Sequence, residues 1–378
     1  MPALLWGSLK VWRSVLWDQS GEMQLHMYFF WQSYILSLLV CLERRRCDIE
    51  MDALNHALLY QRKRIATFVG IILLVLLAAL PVVVRKIYYI HVLMLCMMYS
   101  CITSAWNMIA GYAGVFSFGF QALFGTGAYV SALLSIYLGW SPWITMWIGA
   151  LAAMCVGAVV AIPSLKLKQL PYICIATLCM GEIIRLIASN FPEVTRGELG
   201  LSQIPKLFDG NIRVKSYYLI LLILVITLTI VIKIVNSPMG LSLKAIRDSQ
   251  EASESLGINI SGTKIRIYMI GAFIAGFAGA FYAHYMNILT PTSVLGTALM
   301  TQYVAMCLIG GLGTIVGPVF GAFLITTSLE VLREMEDYRM IIYALLIIVT
   351  IIFLREGVWG TLKNYVLRKA LTKQKIQS

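Results

Sequence analysis

Charge is what this sequence has least of. Asp, Glu, Lys and Arg make up 13% of its 378 residues, against about 25% in a soluble domain. No polar stretch is long enough to fold as a separate soluble domain. Histidine is scarce as well: His26, His56, His91 and His284 are scattered along the chain. The eight cysteines (Cys41, Cys47, Cys96, Cys101, Cys155, Cys174, Cys179 and Cys307) lie mostly inside apolar runs and show no metal-ligand spacing. They read as small buried hydrophobes, and no metal site is expected. A Gly-x-x-x-x-Gly-Lys-Ser/Thr phosphate loop is missing, so this chain is not expected to hydrolyse ATP itself. No nucleophile–base pair stands out, which argues against an enzyme. Acids are outnumbered by bases, 18 to 30, giving a net charge of +12. In a chain this apolar the excess is a signal of topology and of contact with anionic lipid, not of nucleic acid.

What is present is hydrophobic length. Sixty per cent of the residues are hydrophobic, the mean hydropathy is +0.81, and runs of the length that crosses a bilayer recur. The fold class is therefore all-α, a polytopic helical membrane protein with about nine or ten transmembrane helices. Spans are expected near 65–84, 88–109, 142–162, 171–190, 216–235, 264–286, 298–312, 314–332 and 339–354, with one more leading out of a Gly-rich stretch, 111–127, to about 139. A polar loop, 191–215, precedes the sixth span. Residues 1–50 are atypical, with Trp6, Trp12, Trp17 and Trp31 close together and an apolar run at 23–42. Two readings stay open for them: an extra helix, or sequence upstream of a true start at Met51. Residues 51–362 then form the transmembrane domain and 363–378 a basic tail. With Arg62, Lys63 and Arg64 placed in the cytoplasm, crossing counts put Lys166, Lys168, residues 237–262 and the tail inside. Glu330, Glu334, Glu336 and Asp337 fall outside. Arg85-Lys86 and some basic residues of 191–215 violate the rule.

Two Gly-rich interruptions occupy similar places in the two halves. The first runs through Gly111, Gly114 and Gly119 to Gln121, Gly125 and Gly127; the second holds Gly310, Gly311, Gly313 and Gly317, followed by Pro318. Broken helices survive in a membrane only beside protein or water, which points to a pathway near the midplane. Close helix packing by small residues is the other reading, and composition leaves both open. Between Gly271 and Ala280 small residues repeat every four positions and read mainly as packing. Glu182 and Arg185 form the one intramembrane charged pair singled out, at a spacing that lets them neutralise each other on one helix face.

The most informative stretch is a polar island at 237–262 between two apolar runs. A helix from about Leu241 to Leu256 is expected, ended by Gly257 in the left-handed C′ position. Ala245, Ser249, Ala252 and Leu256 share a narrow face, with Lys244/Asp248 and Arg247/Glu251 as i,i+4 pairs elsewhere. An interfacial helix would carry bulky apolar residues against lipid. This face of small residues suits docking into the groove of a soluble partner instead.

The segment Lys244-Ala-Ile-Arg247-Asp248-Ser-Gln-Glu-Ala252-Ser-Glu-Ser-Leu-Gly257 resembles the cytoplasmic coupling loop of ABC importer permeases, in the branched-chain amino acid permease family and its LivM-like branch. Gly111–Tyr129, Ala176–Arg185, Thr195–Leu201, Ile309–Pro318 and Gly321-Ala322 match the same family in order, so the resemblance covers about residues 60–362. Departures are Ser253 in place of a second Ala, Arg196-Gly197 in place of Gly-Gly, and Arg355-Glu356-Gly357 in place of Pro-x-Gly. The resemblance implies a permease subunit of a bacterial inner membrane, with a cytoplasmic C-terminus. Its implied partners are a second homologous permease, two cytoplasmic ABC ATPases and an extracytoplasmic solute-binding protein. It also implies that the chain binds no cofactor and that ATP acts through the ATPases. Branched-chain amino acids lead as substrate, with urea or short amides next. A different class, the ion-coupled secondary transporter, would need intramembrane acids, and Glu182 is the one candidate.

Overall fold

The computed structural model describes residues 74–81, 86–167, 169–208 and 212–334, with Leu345 and Gly357 besides. The expected spans at 65–84 (apart from the helical 74–81) and 339–354, the first 50 residues and the basic tail lie outside these. The chain divides into two compact units after Leu77, and the second holds every helix from Ile87 onward.

Apolar runs of span length become helices because a lipid interior leaves backbone groups no partner except each other. The helices are α1 (Ile87–Asn107), α2 (Phe120–Tyr137), α3 (Pro142–Lys166), α4 (Leu170–Asn190), the short α5 (Pro192–Thr195), α6 (Ile212–Val235), α7 (Pro238–Asp248), α8 (Gln250–Ser255), α9 (Ile260–Met286), α10 (Pro291–Leu295), α11 (Thr297–Gly310) and α12 (Gly317–Val331). Seven helical segments among the described residues are long and apolar enough to cross a membrane, and Gly317–Val331 is a shorter apolar helix. The protein is a polytopic helical membrane protein. Two two-residue strands, Leu201–Ser202 and Ile288–Leu289, pair antiparallel at the end of the bundle away from α7.

Packing centres on α9, which lies against α2, α3 and α1. Lipid offers no hydrophobic drive for helices to associate, so they adhere where small residues let backbones approach. A Cβ on Gly157 would overlap the Ala272 methyl, and one on Gly279 would meet the Phe124 carbonyl. In the same seam Gly127 of α2 faces Gly276 of α9, and Gly149 of α3 lies on the Gly127 carbonyl. Helix α4 is lateral. Ile173, Thr177, Gly181 and Ala188 face the bundle, whereas Ile175, Ile183 and Ile187 are exposed.

The helices on either side of the second Gly-rich interruption are short. α11 has 14 residues and α12 has 15, or about 21–23 Å at 1.5 Å per residue, less than the roughly 30 Å hydrocarbon layer. Central α9, with 27 residues, reaches about 40 Å. The long Gly-rich stretch expected at 111–127 divides differently. A π-helical turn, Met108–Tyr112, prolongs α1, irregular chain follows to Gly119, and Gln121, Gly125 and Gly127 already belong to α2.

At the far end Arg196 adopts a left-handed conformation, φ 57°, where the family pattern has glycine. The loop is held by Thr195 Oγ1 donating to the Ala188 carbonyl at 2.6 Å, by Asn287 Nδ2 donating to the Ile204 carbonyl at 2.9 Å, and by His284 Nδ1 against the Pro205 carbonyl at 2.8 Å.

Gly127→Val should destabilise the bundle by at least about 3 kcal/mol, the upper end of overpacking costs. Gly139→Ala, at φ 63° in open space, should cost only the 1–2 kcal/mol or so of a left-handed residue. Thermal melting in detergent orders the two, and a smaller loss for Gly127→Val would refute the seam.

Candidate functional site

The polar island is two helices, not the single one its sequence suggests. α7 ends at Asp248, Ser249 is extended at φ −158° and ψ 117°, and α8 starts at Gln250. Ser249 Oγ accepts from the Ala252 N–H at 3.3 Å, an N-cap that satisfies one orphan donor of α8. Glu251 in its first turn suits the positive helix end. The signal was in the sequence: a cap-forming Ser with an acid two residues on. The break removes the continuous face of Ala245, Ser249, Ala252 and Leu256. It also removes the Arg247–Glu251 pairing, and Arg247 lies 3.7 Å from Asp248 instead. Gly257 does adopt the left-handed conformation, φ 79°, while the Ile258 N–H bonds the Ser253 carbonyl at 3.0 Å in the Schellman manner.

The inner side of α7 is buried through Gly240, Leu243 and Ile246, and α8 adds Ser253. Ser253 therefore faces inward, where a small residue is required. The outer side carries Lys244, Asp248, Ser249 and Ala252, all exposed. Leu241 and Leu256 stand bare there, 71% and 79% exposed. The sequence reading used Leu241 only as the start of the helix, although it lies four residues before Ala245, in step with that face.

Beneath this loop the two Gly-rich interruptions meet. A Cβ on Gly111 would lie 2.5 Å from the Gly313 nitrogen, so only hydrogen fits between them. Asn107, fully buried at the end of α1, ties the two together. Its Oδ1 accepts from the Gly313 N–H at 2.9 Å, and its Nδ2 donates to the Thr314 carbonyl at 2.7 Å. Thr314 Oγ1 donates to the Gly311 carbonyl at 2.7 Å and accepts from the Gly317 N–H at 3.1 Å, starting α12. From α7, Arg247 Nη1 donates to the Gly111 carbonyl at 2.8 Å. Its stem crosses Gly114, where a Cβ would be 2.7 Å from Arg247 Cγ. Gly114 (φ 69°) and Gly313 (φ 71°) are both left-handed, and Gly311 has φ 115°. Gly310 packs on the Gly317 carbonyl. Asn107 was missed, although an Asn inside an apolar run is itself a signal.

The first interruption then threads towards the middle of α4. Trp106 Nε1 donates to the Ser117 carbonyl at 2.8 Å, and the Phe118 N–H donates to Thr177 Oγ1 at 3.0 Å. Gly119 abuts the Thr177 carbonyl. Gln121 is fully buried beside Gly181, and neither amide atom has a hydrogen-bond partner among the described residues. Thus Gly111, Gly114 and Gly313 sit at the loop end, and Gly119 and Gln121 lie at mid-span. Gly125, against Leu295, and Gly127, against Gly276, have the geometry of close packing. Glu182 and Arg185 pair at 2.6 Å, each side chain 26% exposed, on the flank of lateral α4.

The described residues thus form a helical membrane protein whose two Gly-rich interruptions meet under an exposed, capped loop. The chain belongs to the branched-chain amino acid transport system / permease component family, whose model matches residues 88–351. It is similar to the high-affinity branched-chain amino acid transport system permease protein LivM of Escherichia coli, 29% identical over 75% of this chain and 73% of that protein. It also resembles the probable LivM of Methanocaldococcus jannaschii, 26% identical over 71% of this chain and 88% of that protein. The LivH permease of Salmonella typhimurium is 22% identical over 69% of this chain and 91% of that protein. No solved structure matches.

Gly114→Ala should lose the 1–2 kcal/mol or so of the left-handed conformation and, in addition, displace Arg247. Its melting temperature in detergent should therefore fall further than that of Gly139→Ala. An equal fall would show that Arg247 does not need the space.

Proposed function

We propose that this chain is a permease subunit of an ABC importer that moves branched-chain amino acids across a bacterial inner membrane. Residues 237–262 would be the cytoplasmic surface on which an ATPase docks. The observation that carries the reading is the outer side of α7 and α8. It is fixed in place by buried Leu243 and Ile246 and by the Ser249 and Gly257 caps, yet it presents Leu241 and Leu256 to water. Exposed large apolar residues on a rigid polar loop mark a contact surface. Charge counting supports a cytoplasmic side for this loop and for the C-terminus. The permeases LivM and LivH, both similar to this chain, support a partner permease of the same family. The ATPases and a solute-binding protein complete the importer.

The substrate reading rests on the names of the relatives and on an interior in which Gln121 is one of several buried polar side chains without a partner among the described residues. A small zwitterion with an aliphatic side chain suits such surroundings. Urea and short amides are the alternative. Uptake of radiolabelled leucine by vesicles holding the assembled importer, challenged with unlabelled valine or urea, separates the two. Competition by urea but not by valine would overturn the amino-acid reading.

Docking is tested at two exposed positions. Ala252→Trp adds bulk where the isolated permease has room, so its cost should fall on the docked contact, where overfilling costs about 1–3 kcal/mol. Gly257→Val puts a β-branched residue at φ 79°, a conformation such residues strongly resist. Both should abolish substrate-stimulated ATP hydrolysis and weaken co-purification of the ATPase while the permease still inserts. Wild-type values in both would exclude this loop as the dock.

The Glu182–Arg185 pair serves as the discriminant against ion-coupled transport. Glu182→Gln should leave uptake independent of external pH and chiefly lower the yield of folded protein. A variant that lost a proton or sodium dependence present in the wild type would favour a secondary transporter.

A further inference from the structure

Arg247 departs from the rest of the loop's polar side chains. Like Lys244, Asp248 and Glu251 it is exposed, its side chain to 47%, but its Nη1 also reaches down to donate to the Gly111 carbonyl at 2.8 Å. It also passes the second interruption closely: a Cβ on Gly313 would lie 3.2 Å from Nη1. One side chain of α7 therefore bonds the first interruption and passes beside the second, close to where Asn107 bridges them.

We propose that Arg247 is a latch, a positioning residue that holds the Gly111–Gly313 seam shut as long as α7 stays seated. The seam would then be the cytoplasmic gate of the pathway. The inference deepens the proposed function, because it rests on 237–262 being the coupling loop. The physical argument is one of reach. Hydrogen bonds weaken steeply once donor and acceptor leave about 3.2 Å, so a displacement of α7 by a helix-shift distance of 1–2 Å or so breaks the contact. The released Gly111 carbonyl then needs another donor, and water entering from the cytoplasm supplies it. Without its clamp from α7, the seam is left with the Asn107 pair.

A native reporter lies one turn away. Cys307 in α11 is buried, its Sγ directed at the Thr103 carbonyl of α1 at 3.3 Å, within the interface that the seam closes. The test uses the assembled importer in inside-out vesicles, with Cys307 as the sole cysteine and a membrane-impermeant maleimide as probe. In the nucleotide-free state Arg247→Ala should raise the labelling rate about tenfold, as loss of a charge-assisted hydrogen bond implies. Asn107→Ala should do the same without touching the coupling loop. Arg247→Lys, which keeps the charge with a shorter reach, should give a smaller rise. ATPase co-purification should persist in all three, while leucine uptake falls. Unchanged labelling in Arg247→Ala overturns the latch, and so does a rise confined to Asn107→Ala. Loss of the ATPase in Arg247→Ala would also overturn it, making Arg247 a docking residue instead. If no ATPase co-purifies even with the wild-type permease, the importer reading fails, and the same labelling comparison on the permease alone in inside-out vesicles still decides the latch.

Discussion

Backbone interrupted inside a membrane has to find its hydrogen bonds within the protein, and that constraint governs this molecule. A helix satisfies its own peptide groups; a Gly-rich break does not, and an unmet group in hydrocarbon costs several kcal/mol. Here each break is supplied by side chains, most of them from a different element. Asn107 gives one donor and one acceptor to residues 313–314. Thr314 serves Gly311 and Gly317, Trp106 serves Ser117, Thr177 serves Phe118, and Arg247 serves Gly111. The breaks are thus held by partners, and partners can move. This is what separates these breaks from a packing glycine such as Gly127 or Gly279.

The small-residue seam of α2, α3 and α9 does the opposite job. Backbone-to-backbone contact leaves no room for a side chain and little for sliding. It gives a fixed body against which α1, α11 and α12, carrying the interruptions, are arranged. The outer end is closed by the 201–202 and 288–289 pairing and by His284 and Asn287. At the other end, a polar loop seated through Leu243 and Ile246 carries one long cation inward. A displacement of α7 would reach the breaks through this side chain and not only through a deformation of the whole bundle.

Much of this was legible in the sequence. Apolar runs placed the spans, because length and hydropathy decide which segments enter lipid. Gly257 announced a left-handed helix end, and the spacing of Glu182 and Arg185 announced their pairing. Three things were not legible. The break at Ser249 was hidden by a helical periodicity that continues across it, although Ser followed by Glu is a capping signal. The inward turn of Arg247 depends on a long-range contact with Gly111, which local pattern cannot contain. The separation of the first Gly-rich stretch into a seam at Gly111 and Gly114, a mid-span passage at Gly119 and Gln121, and packing at Gly125 and Gly127 arises from which helix each glycine meets. Composition treats all of them alike. Arg196 shows the reverse case, a position whose left-handed φ explains why the family pattern has glycine there.

The central claim is that Asn107 and Arg247 belong to one network although they sit on different elements. The most direct measurement is a double-mutant cycle on thermal stability in detergent, combining Asn107→Ala with Arg247→Ala. A shared network predicts a coupling of at least about 0.5 kcal/mol between the two substitutions, whereas additivity to within roughly 0.3 kcal/mol would contradict it.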